Sequence, residues 1–214
     1  MTIRFEKMIP LPLLEQDTSG SGIWGADSVL FEQGERYVIE AASGRGKTSL
    51  LSIIFGLRKD YQGDAFIDKD NIRLLRGKGW SKLRKQQFSY IFQGLELFHD
   101  LTALENIRLK NVITSHKTNG EIKAMAESLG VEQFLHRKAG ILSFGQQQRI
   151  AIIRALCQPF NFLLADECFS HIDRNNSITA FGLINEECEK QGAGLILTSL
   201  NGTDEFDIKH RLVV

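Results

Sequence analysis

Three cysteines in 214 residues, Cys157, Cys168 and Cys188, are odd in number and form no CxxC pair. That excludes a disulfide framework or a zinc site and leaves reduced thiols. The five histidines show no metal-ligand spacing either. No apolar run approaches the ~20 residues that a membrane-spanning helix requires. The N-terminus, with Arg4, Glu6 and Lys7, lacks the apolar core of a signal peptide. A cytoplasmic location is therefore expected. Charge of one sign is missing too: 26 Lys and Arg balance 26 Asp and Glu. No whole-molecule field draws nucleic acid or an anionic membrane, so any such partner must be met locally. What is present, 43% hydrophobic and 24% charged residues, describes an ordinary globular chain of one large domain or two small ones.

The most informative stretch is Glu40-Ala-Ala-Ser-Gly-Arg-Gly-Lys-Thr-Ser49, between the apolar run Tyr37-Val-Ile39 and the helix-like run Ser49-Leu-Leu-Ser-Ile-Ile-Phe55. A strand delivers the chain to a turn of small residues, and successive N–H groups can then converge on phosphate oxygens at a helix N-terminus. Lys47 adds a mobile positive charge, and Thr48 places a hydroxyl where a magnesium ion bridging two phosphates would sit. The pattern GxxxxGK[ST] is met except at its first glycine, which is Ala41. The alternative is a Gly/Ser turn with an incidental lysine, which the strand before and the helix after disfavour.

Alternation over Ile3–Ile9, runs at Ser28–Phe31 and Arg36–Ala42 around Gln33-Gly34, and Asp64–Asp68 after a turn at Gln62-Gly63 suggest a small antiparallel N-terminal sheet. Basic residues crowd Arg73–Lys85, broken by Gly77 and Gly79, and read as a solvated face. Ser89–Gly94 is a buried strand ending in polar Gln93. From Thr102 to about Arg137, Leu104, Ile107, Leu109, Val112, then Ile122, Met125, Ala126 and Leu129 recur at helical spacing. Ser143 caps an amphipathic helix that ends near Pro159. Asn161–Ala165 reads as a strand covered on both faces and closes with Asp166-Glu167. A helix over Asn175–Lys190 and strands at Gly194–Ser199 and His210–Val214 complete an α/β alternation, with ligand sites expected at the carboxyl ends of parallel strands.

Asp166, after four apolar residues, fits the carboxylate that orients magnesium in phosphate-loop nucleotidases, and Glu167 beside it is the natural general base for water.

With Leu142-Ser-Phe-Gly-Gln146 added, the sequence resembles the nucleotide-binding subunit of an ATP-binding cassette (ABC) transporter, from end to end. The motifs run in order: phosphate loop Ala41–Thr48, Gln93, signature Leu142–Gln146, acidic strand Phe162–Glu167 and turn Ser170–Asp173. The strings Tyr-Ile-Phe-Gln, Leu-Thr-Ala-Leu-Glu-Asn-Ile, Gly-Gln-Gln-Gln-Arg and Leu-Ala-Asp-Glu look most like the lipoprotein-releasing, macrolide-exporting and cell-division group. The resemblance implies a P-loop NTPase fold of the ABC ATPase type over 1–214. Its parallel-sheet core and N-terminal antiparallel β-subdomain would occupy 1–93 and 157–214, with an inserted helical subdomain at 94–156. It also implies ATP and magnesium as ligands. Ala41, Ser43, Gly44, Arg45, Gly46, Lys47, Thr48 and Ser49 would bind the nucleotide, and Ser143, Gly145 and Gln146 would cover it from a second copy. Thr48, Gln93 and Asp166 would hold the metal, with Glu167, Gln93 and Ser199 at the reacting end. The implied partners are a second nucleotide-binding subunit and integral-membrane permease subunits, which would hold the chain at the inner face of the membrane; nucleic acid is not expected. The alternative is a module that binds ATP but scarcely hydrolyses it.

The chain departs from the family at several places. Phe144 stands in the signature where glycine is usual, Cys168 where proline follows the glutamate, and Ser199 where a histidine ends its strand. Serine is shorter than histidine and cannot carry positive charge, so slow hydrolysis is the expectation. His171 lies in the turn after Glu167, where small residues are usual; against the alternative that it replaces the missing imidazole in trans, it is read as an interface or solvent histidine without a catalytic role. No aromatic between Pro10 and Gly22 offers itself to adenine. Phe5 and Trp24 are the substitutes at hand, each better read as packing.

Overall fold

The computed structural model describes residues 1–42, 44–200 and 206–214. Two sheets organise them. The first is antiparallel, in the order β2 (Val29–Glu32), β1 (Thr2–Pro10), β4 (Tyr61–Ile67) and β5 (Asp70–Asn71). Inward Ile3 and Phe5 alternate with polar Thr2, Arg4 and Glu6 along the first part of β1, the pattern that one covered face demands. The second is parallel, in the order β6 (Phe88–Ile91), β7 (Phe162–Asp166), β8 (Gly194–Ser199), β3 (Arg36–Glu40) and β9 (His210–Val213). Every residue of β7 is buried, as expected of a central strand with both faces covered.

The helices are α1 (Lys47–Ile54), α2 (Gly77–Gln86), α3 (Ala103–Thr114), α4 (Asn119–Ser128), α5 (Phe144–Leu156) and α6 (Arg174–Gln191). Their starts are legible in the chain. Thr102, Thr118 and Ser143 each close a capping box with the residue three positions on, Glu105, Glu121 and Gln146, which satisfies two otherwise orphaned N–H groups. One apolar cluster joins β7 and β8 to α3, α4, α5 and α6; a second joins the antiparallel sheet to α1, Trp80 of α2 and the other face of the parallel sheet. The site lies along the parallel sheet's carboxyl edge.

Four expectations change. The segments around Gln33-Gly34 do not form one sheet: β2 pairs with β1, whereas β3 enters the parallel sheet between β8 and β9. Gln62-Gly63 is no turn but lies inside β4, where the pairing with β1 shifts register between Glu6 and Ile9. The basic run contains α2, whose Trp80 is buried, and two of its cations are not simply solvated. Arg73 donates to the Tyr61 and Gly63 carbonyls and Arg84 to those of Phe55 and Gly56. Finally, α3 buries Ala103, Asn106 and Ile107 but exposes Leu109 and Val112. Helical spacing locates a stripe; it does not say what covers it.

Candidate nucleotide site

The loop after β3 reaches α1 through Gly46, which has φ 97° and caps the helix without a side-chain hydrogen bond. A side chain is excluded there for two reasons. The backbone is left-handed, and an added Cβ would stand 2.7 Å from Leu13 and 3.0 Å from Trp24. Trp24 braces the loop from behind by donating its indole N–H to the Arg45 carbonyl at 3.0 Å. The N–H groups of the first turn of α1 have no intrahelical acceptor, so that end of the helix presents donors and a positive dipole. Ser43 lies outside the described residues.

A cavity of about 310 Å³ opens against this helix end. Gly44, Gly46, Lys47, Thr48 and Ser49 line it from the loop, Gln93 from the end of β6, and Glu167 from the end of β7. The sequence expectation thus brings these residues to one place. The Ser49 hydroxyl is also bonded, accepting from Arg58 at 2.8 Å. A second cavity of about 440 Å³ lies on the loop's other side, lined by Asp17, Thr18, Ser19, Trp24, Ala41 and Arg45 among others. Arg45 reaches across to donate to the Asp17 carbonyl at 3.1 Å. Phe5, at 1% exposure, lines neither cavity, whereas Trp24, at 3%, lines the second one while its indole braces the loop.

The charged groups are held tightly. Lys47 Nζ donates to the Ala41 carbonyl at 2.6 Å and the Ala42 carbonyl at 3.1 Å, and stands 3.3 Å from Glu167 Oε1. Glu167 Oε2 accepts from Gln93 Nε2 at 3.0 Å. Glu167 itself has φ 46°, an uncommon conformation for a residue with a side chain. Thr198 secures it: the Glu167 N–H lies 3.2 Å from the Thr198 carbonyl and 3.1 Å from its hydroxyl. The same hydroxyl donates to Asp166 Oδ1 at 2.7 Å. Asp166 is 1% exposed, and Tyr90 donates to its other oxygen at 3.5 Å. Burial and then the Asp166 charge push the Tyr90 phenol far above its ordinary range, so it stays a donor.

Thr198 and Tyr90 were not singled out in the sequence. Within buried strands a threonine and a tyrosine read as ordinary β-formers, and only the register Asp166↔Thr198 brings the hydroxyl to the carboxylate. Ser199 ends β8, in register with Glu40. Cys168 is buried beneath the strand end, and burial holds its thiol protonated. It acts there as a small apolar side chain.

The donor set suits a hard cation bound together with phosphates. Magnesium typically takes one or two carboxylates plus substrate oxygens and water, and Asp166, Thr48 and Gln93 offer oxygen ligands of that kind. Among the described residues there is no group of three or more His, Cys, Asp or Glu side chains that could hold a metal alone.

Ser143, Gly145 and Gln146 stand apart. Among the described residues they do not line the cavity that holds Lys47 and Glu167. They lie at the start of α5, where the Ser143 hydroxyl accepts from the Gln146 N–H at 3.4 Å. The adjacent Phe144 ring meets His171 edge-on, with centroids 4.5 Å apart.

The family model described as ABC transporter matches residues 26–170. The lipoprotein-releasing system ATP-binding protein LolD of Syntrophotalea carbinolica is 36% identical over 171 residues, covering 78% of this chain and 75% of that protein. Among solved structures, the dimer of MJ0796, a bacterial ABC transporter cassette, superposes with a TM-score of 0.75 at 28% identity, over 93% of this chain and 88% of that one. The post-hydrolysis dimer of MJ0796 bound to ADP and Pi gives a TM-score of 0.73 at 26% identity, with the same coverage.

Proposed function

Because the chain belongs to the ABC transporter family, as an ATP-binding and ATP-hydrolysing subunit, we propose that two copies close on two ATP molecules and drive a membrane permease. Each nucleotide would lie between the phosphate loop of one copy and Ser143, Gly145 and Gln146 of the other. The observation that carries this reading is the division of the site: one cavity collects Lys47, Thr48, Gln93 and Glu167, while the capped N-terminus of α5 lies elsewhere on the same chain. A helix N-terminus with a serine cap offers hydroxyl, N–H groups and a positive dipole end to a phosphate, and a second copy can bring it there. The MJ0796 cassette, similar over nearly the whole chain, forms a dimer.

In this reading the loop N–H groups and Lys47 hold the β- and γ-phosphates. Asp166, Thr48 and Gln93 would bind magnesium, which supplies Lewis-acid stabilisation of charge on the phosphoryl oxygens. Glu167, aimed by Gln93 and by the Thr198 bonds to its backbone, takes the proton of the attacking water. Ser199 completes the reacting end. Residues 94–156 form the helical part that carries the signature, inserted in a core of 1–93 and 157–214.

The permease contact is assigned to the Gln93 loop and the helical part. That α3 displays Leu109, Val112 and Ile113 on one exposed face, three and four residues apart, supports it. No described helix is long and apolar enough to cross a membrane, so attachment at the inner face would come through that contact. The chain falls in the group of the lipoprotein-releasing ATP-binding proteins, and a lipoprotein cargo would follow from that likeness.

Size-exclusion chromatography of Glu167→Gln with magnesium and ATP tests the reading. A dimer that forms with ATP and dissolves with ADP is expected, and a variant that stays monomeric with both sinks it.

A further inference from the structure

The end of β8 carries Ser199, a side chain that cannot place a charge or a ring nitrogen at a phosphate. We propose that His171 supplies this group in trans, donating from Nε2 to the γ-phosphate held by the phosphate loop of the partner copy. The inference rests on the two-copy site proposed above.

Three observations carry it. First, His171 is exposed and its ring is oriented: Ser170 Oγ lies 2.8 Å from Nδ1, and the Phe144 ring stands edge-on with centroids 4.5 Å apart. When the Ser170 hydroxyl donates to Nδ1, the proton sits on Nε2 and makes that nitrogen a donor. Second, His171 is joined to the signature. An added Cβ on Gly145 would lie 3.0 Å from the His171 carbonyl, so helix start and turn pack backbone against backbone. Whatever surface Ser143 and Gly145 approach, His171 approaches with them. Third, among the described residues His171 does not line its own chain's cavity around Lys47, Gln93 and Glu167. An imidazole carried on the signature's side can serve only the site that the signature covers.

The other histidines offer no substitute with these features. His116 is bonded to Glu187 at 3.3 Å, and His210 is bonded to Glu35 at 3.0 Å and stacked on Tyr37. Among the described residues, neither a ring contact nor a close backbone approach ties His99 or His136 to Phe144 or Gly145, as both tie His171. Phe144, which replaces a small residue in the signature pattern, acquires a reason: it is the wall that fixes the His171 ring. The departures at 144, 171 and 199 then form one substitution of function, in which the imidazole has moved from the end of a strand to the facing copy.

The test uses pairs of variants. His171→Ala is expected to lower kcat for ATP at least tenfold with little change in KM, and to weaken the ATP-dependent dimer of Glu167→Gln when the two changes are combined. Adding Ser199→His to His171→Ala should restore turnover. The direction of action is read by mixing. Alone, His171→Ala chains should turn over at least tenfold more slowly and Glu167→Gln chains should be inactive, but a mixed dimer has one site with Glu167 from the first copy and His171 from the second. Recovered turnover in the mixture is expected. A His171→Ala protein with unchanged kcat overturns the proposal, and so does a mixture that stays inactive. Because Glu167→Gln keeps His171, its failure to dimerise with ATP would instead overturn the two-copy reading.

Discussion

Lys47 Nζ lies 3.3 Å from Glu167 Oε1, and only 4% and 8% of the two side chains are exposed. The ammonium also occupies the Ala41 and Ala42 carbonyls, while Gln93 takes the other oxygen of Glu167. Lysine and glutamate therefore constrain each other across the cavity proposed to receive phosphate. In the proposed reading an arriving γ-phosphate would draw Lys47 away from Glu167, coupling nucleotide binding to release of the base. Lys47→Ala removes charge-assisted bonds of roughly 1.5–3 kcal/mol, so ATP should bind roughly ten- to hundred-fold more weakly. Fluorescent-nucleotide titration measures it; unchanged affinity would show that the lysine does not hold the phosphates.

Thr198 supports both carboxylate-bearing residues through one hydroxyl. Thr198→Val keeps the shape but leaves a buried oxygen of Asp166 without its donor, which costs about 1–3 kcal/mol. Loss of a group that orients a metal-binding carboxylate typically lowers activity roughly ten- to hundred-fold. Thr198→Ser, which retains the hydroxyl, should hold most of both. The melting temperature and kcat of the two variants decide it, and equal behaviour of valine and serine would refute the role.

The difference between Lys47 and Thr198 marks what a chain reveals before it folds. Lys47, Thr48, Asp166 and Glu167 stand in short strings whose chemistry needs only a strand, a turn and a helix, so spacing identifies them. Thr198 acts through strand register with Asp166, and Tyr90 through a strand two places away from β8. Neither relation is local. The same holds for the fold. The cap at Ser143 is local and was legible, whereas the parting of β2 from β3 into two sheets depends on which strands they meet. The α2 helix was obscured by Gly77 and Gly79, whose poor propensity is overridden by burial of Trp80. His171 illustrates the remaining gap: the sequence shows a histidine where small residues are usual, and only the fold shows its contact with Phe144 of the signature.

The cysteines give a pH prediction. Burial pushes the Cys157 and Cys188 thiols from an ordinary 9.0 up to about 12, and raises Cys168 as well. In the unfolded chain these thiols ionise near their ordinary value, whereas in the native protein they keep their protons. Their contribution is therefore fully present below pH 9.0 and is lost as pH rises toward about 12. The melting temperature should fall progressively above pH 9, and substitution of all three cysteines by alanine should flatten that part of the curve. Native protein at pH 8 should resist maleimide labelling until denaturant is added; rapid labelling of the folded protein would contradict the burial.

The exposed stripe on α3 separates folding from coupling. Leu109, Val112 and Ile113 are 38%, 76% and 51% exposed, while the opposite side of the helix buries Ala103, Asn106 and Ile107 against the α5 side of the molecule. Polar substitution of exposed residues usually changes stability by within about 0.5 kcal/mol. Val112→Gln combined with Ile113→Gln should thus leave the melting temperature and ATP binding unchanged. If this face docks the permease, the same double variant should lose co-purification with the membrane fraction and lose any stimulation of ATP turnover that the permease confers. An equally well-folded variant that still co-purifies would move the contact to another surface. A variant that unfolds would place the stripe in a packing role, which its exposure contradicts.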